Sequence, residues 1–366
     1  MGALHGADAR GSARGRDRGG VALKPIHVAV DAHDLVRDDR GIGRYARAVL
    51  SRALRDPAFR WTLVVRELFP NRRAFARALG VTAVRIARRV PRDADVVWSP
   101  WNGTFLRSAA PAVATIHDTA PFAFPAERAS VRASQQAPFF TTAATAGRIC
   151  ADSAFTAGEV RRWLGVESER IVVVPLACDP VFTPGPPHAL PDVLRGRRYV
   201  LHVGAHDERK NTSTLIAAHA RAFPDGDVLL AFTRRPPELP PFGVVVPAAD
   251  DAALVALYRG ATLVAVPSTY EGFGLPLLEA LACGAAVVAS RASSLPEVGG
   301  EACAYVDNPH DVDGWATVLR SLLHDNERRA ELAARGPVQA ARFSWERCTT
   351  QTLAVLRDVA TAPVSP

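Results

Sequence analysis

Short apolar runs alternate with amphipathic stretches along most of the chain. Ile26 to Val30 reads as a buried strand, followed by the loop Gly41-Ile-Gly-Arg-Tyr45 and a stretch to about Leu54 whose apolar spacing predicts a helix. Further strands are predicted at Trp61 to Val65, Val96 to Ser99, Ala112 to Ile116, Ile149 to Asp152 and Ile171 to Val174, with helical stretches between several of them. This alternation predicts an α/β fold with a parallel sheet.

Between Cys178 and Arg197 the pattern breaks into Pro180, Pro184, Pro186, Pro187 and Pro191 among small residues, which marks a domain boundary. Alternation then resumes, with strands at Tyr199 to Val203, Val228 to Phe232, Gly243 to Val246, Thr262 to Val266 and Ala286 to Ala289. Helices are expected to start near Asn211, Asp250, Pro276 and His310. The expectation is two Rossmann-like doubly wound domains, 25–185 and 186–340, facing across a cleft. A last helix lies within 341–366, from about Trp345 to Val359, with Ser344 as its N-cap. Spacing leaves open whether it stays on the second domain or crosses back to the first.

Size agrees with this division, since 366 residues suit two cores of about 150 to 180 residues better than one. Residues 1–24 carry Gly, Ala and Arg with almost no large side chains, so a disordered basic tail is expected there. The five cysteines are far apart and odd in number, which predicts neither a disulfide framework nor a zinc site. No run of about 18 uncharged apolar residues occurs, so a soluble, cytoplasmic chain is expected.

The formal charge of +7 suits nucleic acid, an anionic membrane surface or a phosphorylated substrate, and does not choose among them. Arg72, Arg73, Arg77, Arg85, Arg88, Arg89 and Arg92 recur among apolar residues, a pattern open to two readings: a solvated helix face or an interfacial basic surface. Nucleic acid is not expected as a partner, because these arginines lack interleaved aromatics for base stacking.

The strongest chemical signal is Pro267-Ser-Thr-Tyr-Glu271-Gly272-Phe273-Gly274-Leu275-Pro276-Leu-Leu-Glu279. A strand ends, glycines let the backbone approach a ligand, and Pro276 stands where a helix's first turn accepts proline. Free amides and the helix dipole there favour a phosphate by about 0.3 to 2 kcal/mol. Glu271 and Glu279 can flank such an anion and accept hydrogen bonds from hydroxyls. The alternative is that Glu271 caps the helix and Glu279 is a surface charge.

In these residues the chain resembles glycosyltransferase family 4, retaining enzymes of the GT-B fold that carry two glutamates around a Gly-Phe-Gly-Leu-Pro core. The likeness extends through Leu295-Pro-Glu-Val298 and, more loosely, from about residue 26 to the end. It implies that Glu271 contacts donor-sugar hydroxyls, that Glu279 holds the nucleotide ribose, and that the amides near Gly274 and Leu275 receive phosphate. It also implies that Arg209 and Lys210, in a segment opened by Gly204, stabilise the departing diphosphate. Gly41 and Gly43 are similar to a loop set against the donor phosphates, and Val246, closing a predicted strand, is counted with the nucleotide contacts. His117 ends a strand and, alone, is open to a structural reading; the resemblance implies that it lines the acceptor or donor-sugar site.

Two departures accompany the likeness. Ala205 stands where many relatives have an arginine, and the stretch from Phe232 to Gly243 is short and proline-rich, which leaves the base open. No cofactor or metal site is expected, since Asp311-Val-Asp313 reads as a charge pair at a helix start. The resemblance, strongest to bacterial mannosyltransferases, implies transfer of a hexose, mannose from GDP-mannose, to a glycan or lipid-linked hydroxyl, with a peripheral contact at the inner face of the membrane. UDP- or dTDP-sugar transfer, or an inactive nucleotide-sugar-binding chain, would leave the same motifs.

Overall fold

The structure is a computed structural model that describes residues 24–38, 41–104 and 106–362. The tail expected over 1–24 falls outside the described residues apart from Lys24.

Seven strands build the first sheet: β1 (Ile26–Asp31), β2 (Phe59–Val64), β3 (Ile86–Ala87), β4 (Val96–Ser99), β5 (Ala112–Ile116), β6 (Ala146–Ala151) and β7 (Ile171–Val173). They lie in the order β3-β2-β1-β4-β5-β6-β7, every pair parallel. The second sheet holds β8 (Arg198–His202), β9 (Val228–Phe232), β10 (Gly243–Val245), β11 (Leu263–Val266), β12 (Val287–Ser290) and β13 (Cys303–Val306). Its order is β10-β9-β8-β11-β12-β13, again all parallel. Both are doubly wound sheets whose strand order reverses beside the first strand, which opens a crevice at the strands' carboxyl ends. Strands such as Val-Leu-Leu-Ala-Phe of β9 are buried throughout, as a sheet covered by helices on both faces requires.

The basic stretch after β2 is not one helix face. Arg72–Ala78 is a seven-residue helix capped by Asn71, whose side chain accepts from the Ala74 amide. The chain then turns at Gly80 and adds β3, two residues long, as the edge of the first sheet. Arginines on both sides of so short a strand obscure its pattern in the sequence.

The last helix, Trp345–Thr361, is capped by Ser344, whose hydroxyl accepts from the Arg347 amide. It packs on helix Gly41–Ala53 and the first sheet: the Trp345 and Tyr45 rings lie 6.4 Å apart, and Arg357 covers Phe59 at 5.2 Å. Buried Tyr45, Trp61 and Trp98 fill the layer between. All five cysteines are free thiols; four are buried, and burial pushes the Cys150 thiol up to about 12. No helix among the described residues is long and apolar enough to cross a membrane.

Candidate active site

The site forms where the carboxyl ends of the two sheets meet. After β11 the chain runs through Pro267 to Gly274 and enters helix Leu275–Ala282 with Pro276 in its first turn. Gly274 adopts φ +97°, which side-chain-bearing residues avoid, and an added Cβ would stand 2.9 Å from Leu295 Cδ2. Pro276 has no N–H and the Leu277 and Leu278 amides donate to the Gly274 carbonyl at 3.0 and 3.2 Å, so it is the Leu275 amide, at the positive end of the helix, that marks an anion-binding position.

Glu271 lies just before this turn and is buried. Its Oε1 accepts from Lys210 Nζ at 2.6 Å and from Ser268 Oγ at 2.7 Å, while its amide donates to Ser293 Oγ at 2.9 Å. Burial pushes its carboxyl up, but Lys210, Ser268 and Arg209 together outweigh burial and hold it below the ordinary value. Lys210 comes from the loop after β8, where Gly204 at φ +128° lets the backbone turn beside the lysine stem. Arg209 is more exposed, 3.3 Å from Asp207 and 3.9 Å from Asp118 of the first domain. Its guanidinium is desolvated, yet Glu271, Asp118 and Asp207 keep it firmly charged.

Glu279 is buried one turn inside the helix rather than exposed on the surface. Tyr258 OH donates to it at 3.0 Å and Arg44 Nη1 at 3.1 Å. Desolvation raises its carboxyl to about 7, with Arg44 and Tyr258 only partly offsetting the burial. Arg44 reaches across from the first domain and also pairs with Asp251. Glu279, Arg44 and Asp251 line a cavity of about 440 Å³ between the domains, together with Arg47, Asp179 and Leu275.

The Gly41 segment meets the start of helix Leu275–Ala282, and Gly43 and Gly272 sit tight against backbone. Gly41 faces Leu275, whose Cδ1 would lie 3.1 Å from an added Cβ, and a Cβ on Gly43 would overlap the Asp38 carbonyl. A Cβ on Gly272 would overlap the His117 carbonyl oxygen, so the strand end of β5 and the Glu271 loop touch with no room for a side chain. Ser153 Oγ and Thr156 Oγ1 donate to the Gly272 carbonyl at 2.6 and 3.0 Å. Across the same seam, the Tyr270 and Thr119 hydroxyls share a 2.9 Å hydrogen bond. Glu297 accepts from the amides of Ala154 and Phe155 at the start of helix Ala154–Leu164.

Three residues named from the sequence turn their side chains to protein partners. The His117 ring is buried with Nδ1 2.7 Å from Asp152 Oδ2 and Nε2 2.9 Å from the Pro100 carbonyl, so both nitrogens are engaged by protein. Burial alone would lower its pKa, but Asp152 more than compensates and holds it above the usual value. His117 meets the seam through its backbone carbonyl, not through a free ring nitrogen. The Val246 side chain points into the core and its amide donates to the Phe232 carbonyl at 2.8 Å. Its neighbours Val245 and Pro247 instead line a second cavity, of about 620 Å³, with His206, Thr233, Arg234 and Arg235. Phe273 likewise turns inward, edge-on to Phe343 at 5.5 Å, leaving its backbone for the site. Among the described residues no group of three or more His, Cys, Asp and Glu side chains could hold a metal.

Two family models match the chain: Glycosyltransferase Family 4 over residues 38–182 and Glycosyl transferases group 1 over residues 244–339. The chain is 34% identical over 268 residues to O-antigen chain mannosyltransferase B of Escherichia coli, a match covering 66% of this chain and 69% of that one. The chain belongs to glycosyltransferase family 4. As a family 4 glycosyltransferase it also matches the MMP alpha-(1->4)-mannosyltransferase of Mycolicibacterium hassiacum at 33% identity over 219 residues, 56% of this chain and 52% of that relative, about half its length. The fold is GT-B: sucrose-phosphate synthase from Thermosynechococcus elongatus superposes with TM-score 0.70 at 19% identity over 93% of this chain and all of that one. WaaG, a glycosyltransferase involved in lipopolysaccharide biosynthesis, gives 0.65 at 14% identity, over 90% and 99%.

Sequence reasoning missed several residues of this family 4 site. Arg44 stands inside the Gly-Ile-Gly-Arg-Tyr motif, yet nothing local says that it reaches Glu279. Ser268 and Glu297 lie inside segments that carry the resemblance but have no role assigned by it, and Tyr258 and Ser293 carry no motif of their own; only folding brings them to the two glutamates or to the seam.

Proposed function

We propose that this glycosyltransferase moves a hexosyl unit, mannose from GDP-mannose, to a hydroxyl of a glycan or lipid-linked acceptor, with retention at the anomeric carbon. The observation that carries this reading is the pair of buried carboxylates bracketing a helix N-terminus: Glu271 tied to Lys210, and Glu279 tied to Tyr258 and Arg44. Helix amides and the cations Arg209 and Lys210 meet the leaving diphosphate as its charge grows, and Glu279 accepts from the ribose hydroxyls. Glu271 orients the sugar.

Double displacement would require a second carboxylate about 5 Å from the first. Glu279 is instead held by Arg44 and Tyr258 one turn along the helix, which favours front-face transfer in which the departing phosphate takes the acceptor proton. Because the side-chain cations neutralise the diphosphate, the reaction proceeds without a metal. The mannose assignment draws on the names of the relatives, and the lipid-linked acceptor implies a cytoplasmic protein in peripheral contact with the membrane.

Thermal stabilisation by GDP, UDP, ADP and dTDP, followed by NMR of the product's anomeric configuration in the presence of chelator, tests the reading. Selective stabilisation by GDP and a retained α-mannoside are expected. Stabilisation by UDP or dTDP alone would replace the donor, and inversion or dependence on added metal would overturn the mechanism.

A further inference from the structure

The loops that leave the carboxyl ends of β1, β2 and β3 carry a surface that the donor site does not use. Phe69 is 94% exposed and Leu68 65% exposed, side by side after β2, and Val36, 36% exposed, lies on the loop after β1. An ion pair of 3.3 Å between Arg37 and Glu67 ties those two loops together. Between residues 72 and 92 the sequence holds seven arginines and no carboxylate, and Glu67 just before them is occupied by that pair. Helix Arg72–Ala78 buries Phe75 and Ala76 and turns Arg72, Arg73 and Arg77 outward. Val64 pairs with Ala87, so exposed Arg88 and Arg89 leave the sheet level with Val65 and Arg66.

We infer that this tip docks on a membrane surface, its arginines on anionic lipid headgroups and Leu68 and Phe69 inserted at the boundary between headgroups and acyl chains. Charge complementarity selects this occupant. Arginines gathered around two protruding apolar side chains are what an anionic interface rewards, each cation by electrostatic attraction and each apolar group by burial. A protein partner would need a contiguous apolar centre, and here two side chains stand alone among cations. Nucleic acid would need stacking platforms, and Phe69 is a single exposed ring.

Position gives the tip a purpose. In parallel sheets ligands gather at the carboxyl ends of the strands, and the tip lies on that edge of the first domain, beside the crevice. A chain docked there would present its cleft to acceptors embedded in the same surface. The inference rests on the lipid-linked acceptor reading and locates where that acceptor is delivered.

Co-sedimentation of the full chain with phosphatidylcholine vesicles, with and without phosphatidylglycerol, tests it. Binding is expected only with phosphatidylglycerol and is expected to weaken with added salt. The double substitutions Leu68→Ser with Phe69→Ser, and Arg88→Glu with Arg89→Glu, are each expected to lower the bound fraction constant by about tenfold or more. Stabilisation by a nucleoside diphosphate should stay unchanged in both, since neither touches the donor site. No vesicle binding, equal binding to neutral vesicles, or variants that bind as well as the parent would overturn the inference, as would retention by nucleic acid in place of vesicles. Transfer to a short soluble acceptor separates the two readings: vesicle failure with transfer intact removes only the docking surface, and absent transfer with vesicle binding intact removes only the transferase assignment.

Discussion

Lys210 Nζ lies 2.6 Å from Glu271 Oε1, and both side chains are about nine-tenths buried. The pair joins the loop after β8 to the loop after β11, so each charge depends on the other for solvation. Removing one partner strands a buried charge, at about 3 to 5 kcal/mol. Lys210→Met or Glu271→Gln alone should therefore lower the melting temperature. The double variant should recover most of that stability while transfer stays at least a hundredfold below the parent, because the neutral pair packs but lacks the charges that the proposed roles toward sugar and phosphate require. A double variant as unstable as the single ones would mean that the charges do not compensate one another.

Glu279 titrates at about 7 instead of its ordinary 4.5 because burial disfavours its charge. Between those values the folded chain holds a proton that the unfolded chain has released, so the stability from this group is full at acid pH and declines as pH rises toward 7. If Glu279 holds the ribose as proposed, donor binding should move the other way, since the carboxylate accepts from two hydroxyls better than its protonated form. Calorimetric titration with GDP is expected to show affinity rising from about pH 6 to about pH 8. Glu279→Gln should flatten that rise and the matching slope in the melting temperature. An equal pH dependence in the variant would assign it to another group.

Much of the fold was legible because buried parallel strands read as apolar runs: Val28 and Val30 of β1 and all of β9 could be found from their neighbours alone. The Glu271 to Glu279 segment stood out for a different reason, since its glycines, proline and carboxylates lie within nine consecutive residues. β3 escaped because two residues between arginines make no pattern, and the run Gly243 to Val246 does not show by itself that Val246 packs in the core while Val245 and Pro247 line the cavity. Arg44 and Glu279 are 235 residues apart in sequence, and no periodicity connects them.

Gly272 and Gly43 both lack space for a Cβ, but the atoms in the way belong to different units. At Gly43 the obstacle is the Asp38 carbonyl of the same domain, so Gly43→Ala should destabilise that domain outright. At Gly272 it is the His117 carbonyl across the seam, and the domains can separate to relieve the clash. Gly272→Ala should thus keep a melting temperature near the parent's while losing at least a hundredfold in turnover, because closure completes the site. Matching losses of stability in both variants would place the Gly272 contact inside a rigid unit and refute closure.

Glu297 caps a helix that is not its own. From the second domain its carboxylate accepts from the Ala154 amide at 2.9 and 3.0 Å and from the Phe155 amide at 3.4 Å, at the positive end of helix Ala154–Leu164. Ser153 already caps that helix from within, accepting from the Thr156 amide, so the helix survives without Glu297. What is lost is a link between domains, and a cap of this kind contributes about 1 kcal/mol. Water can replace the carboxylate at these exposed amides, so Glu297→Ala should leave the melting temperature within a few degrees of the parent. The balance between open and closed forms should shift by about fivefold, since 1.4 kcal/mol corresponds to about tenfold. The expected readouts are a larger radius of gyration in small-angle scattering without donor and a donor KM raised about fivefold, with Glu297→Gln intermediate because its amide oxygen keeps one acceptor. If scattering and KM both stay at parental values, the carboxylate caps the helix without biasing closure, and the seam is held by its other contacts, among them Tyr270 with Thr119, the Gly272 carbonyl and Arg44 with Glu279.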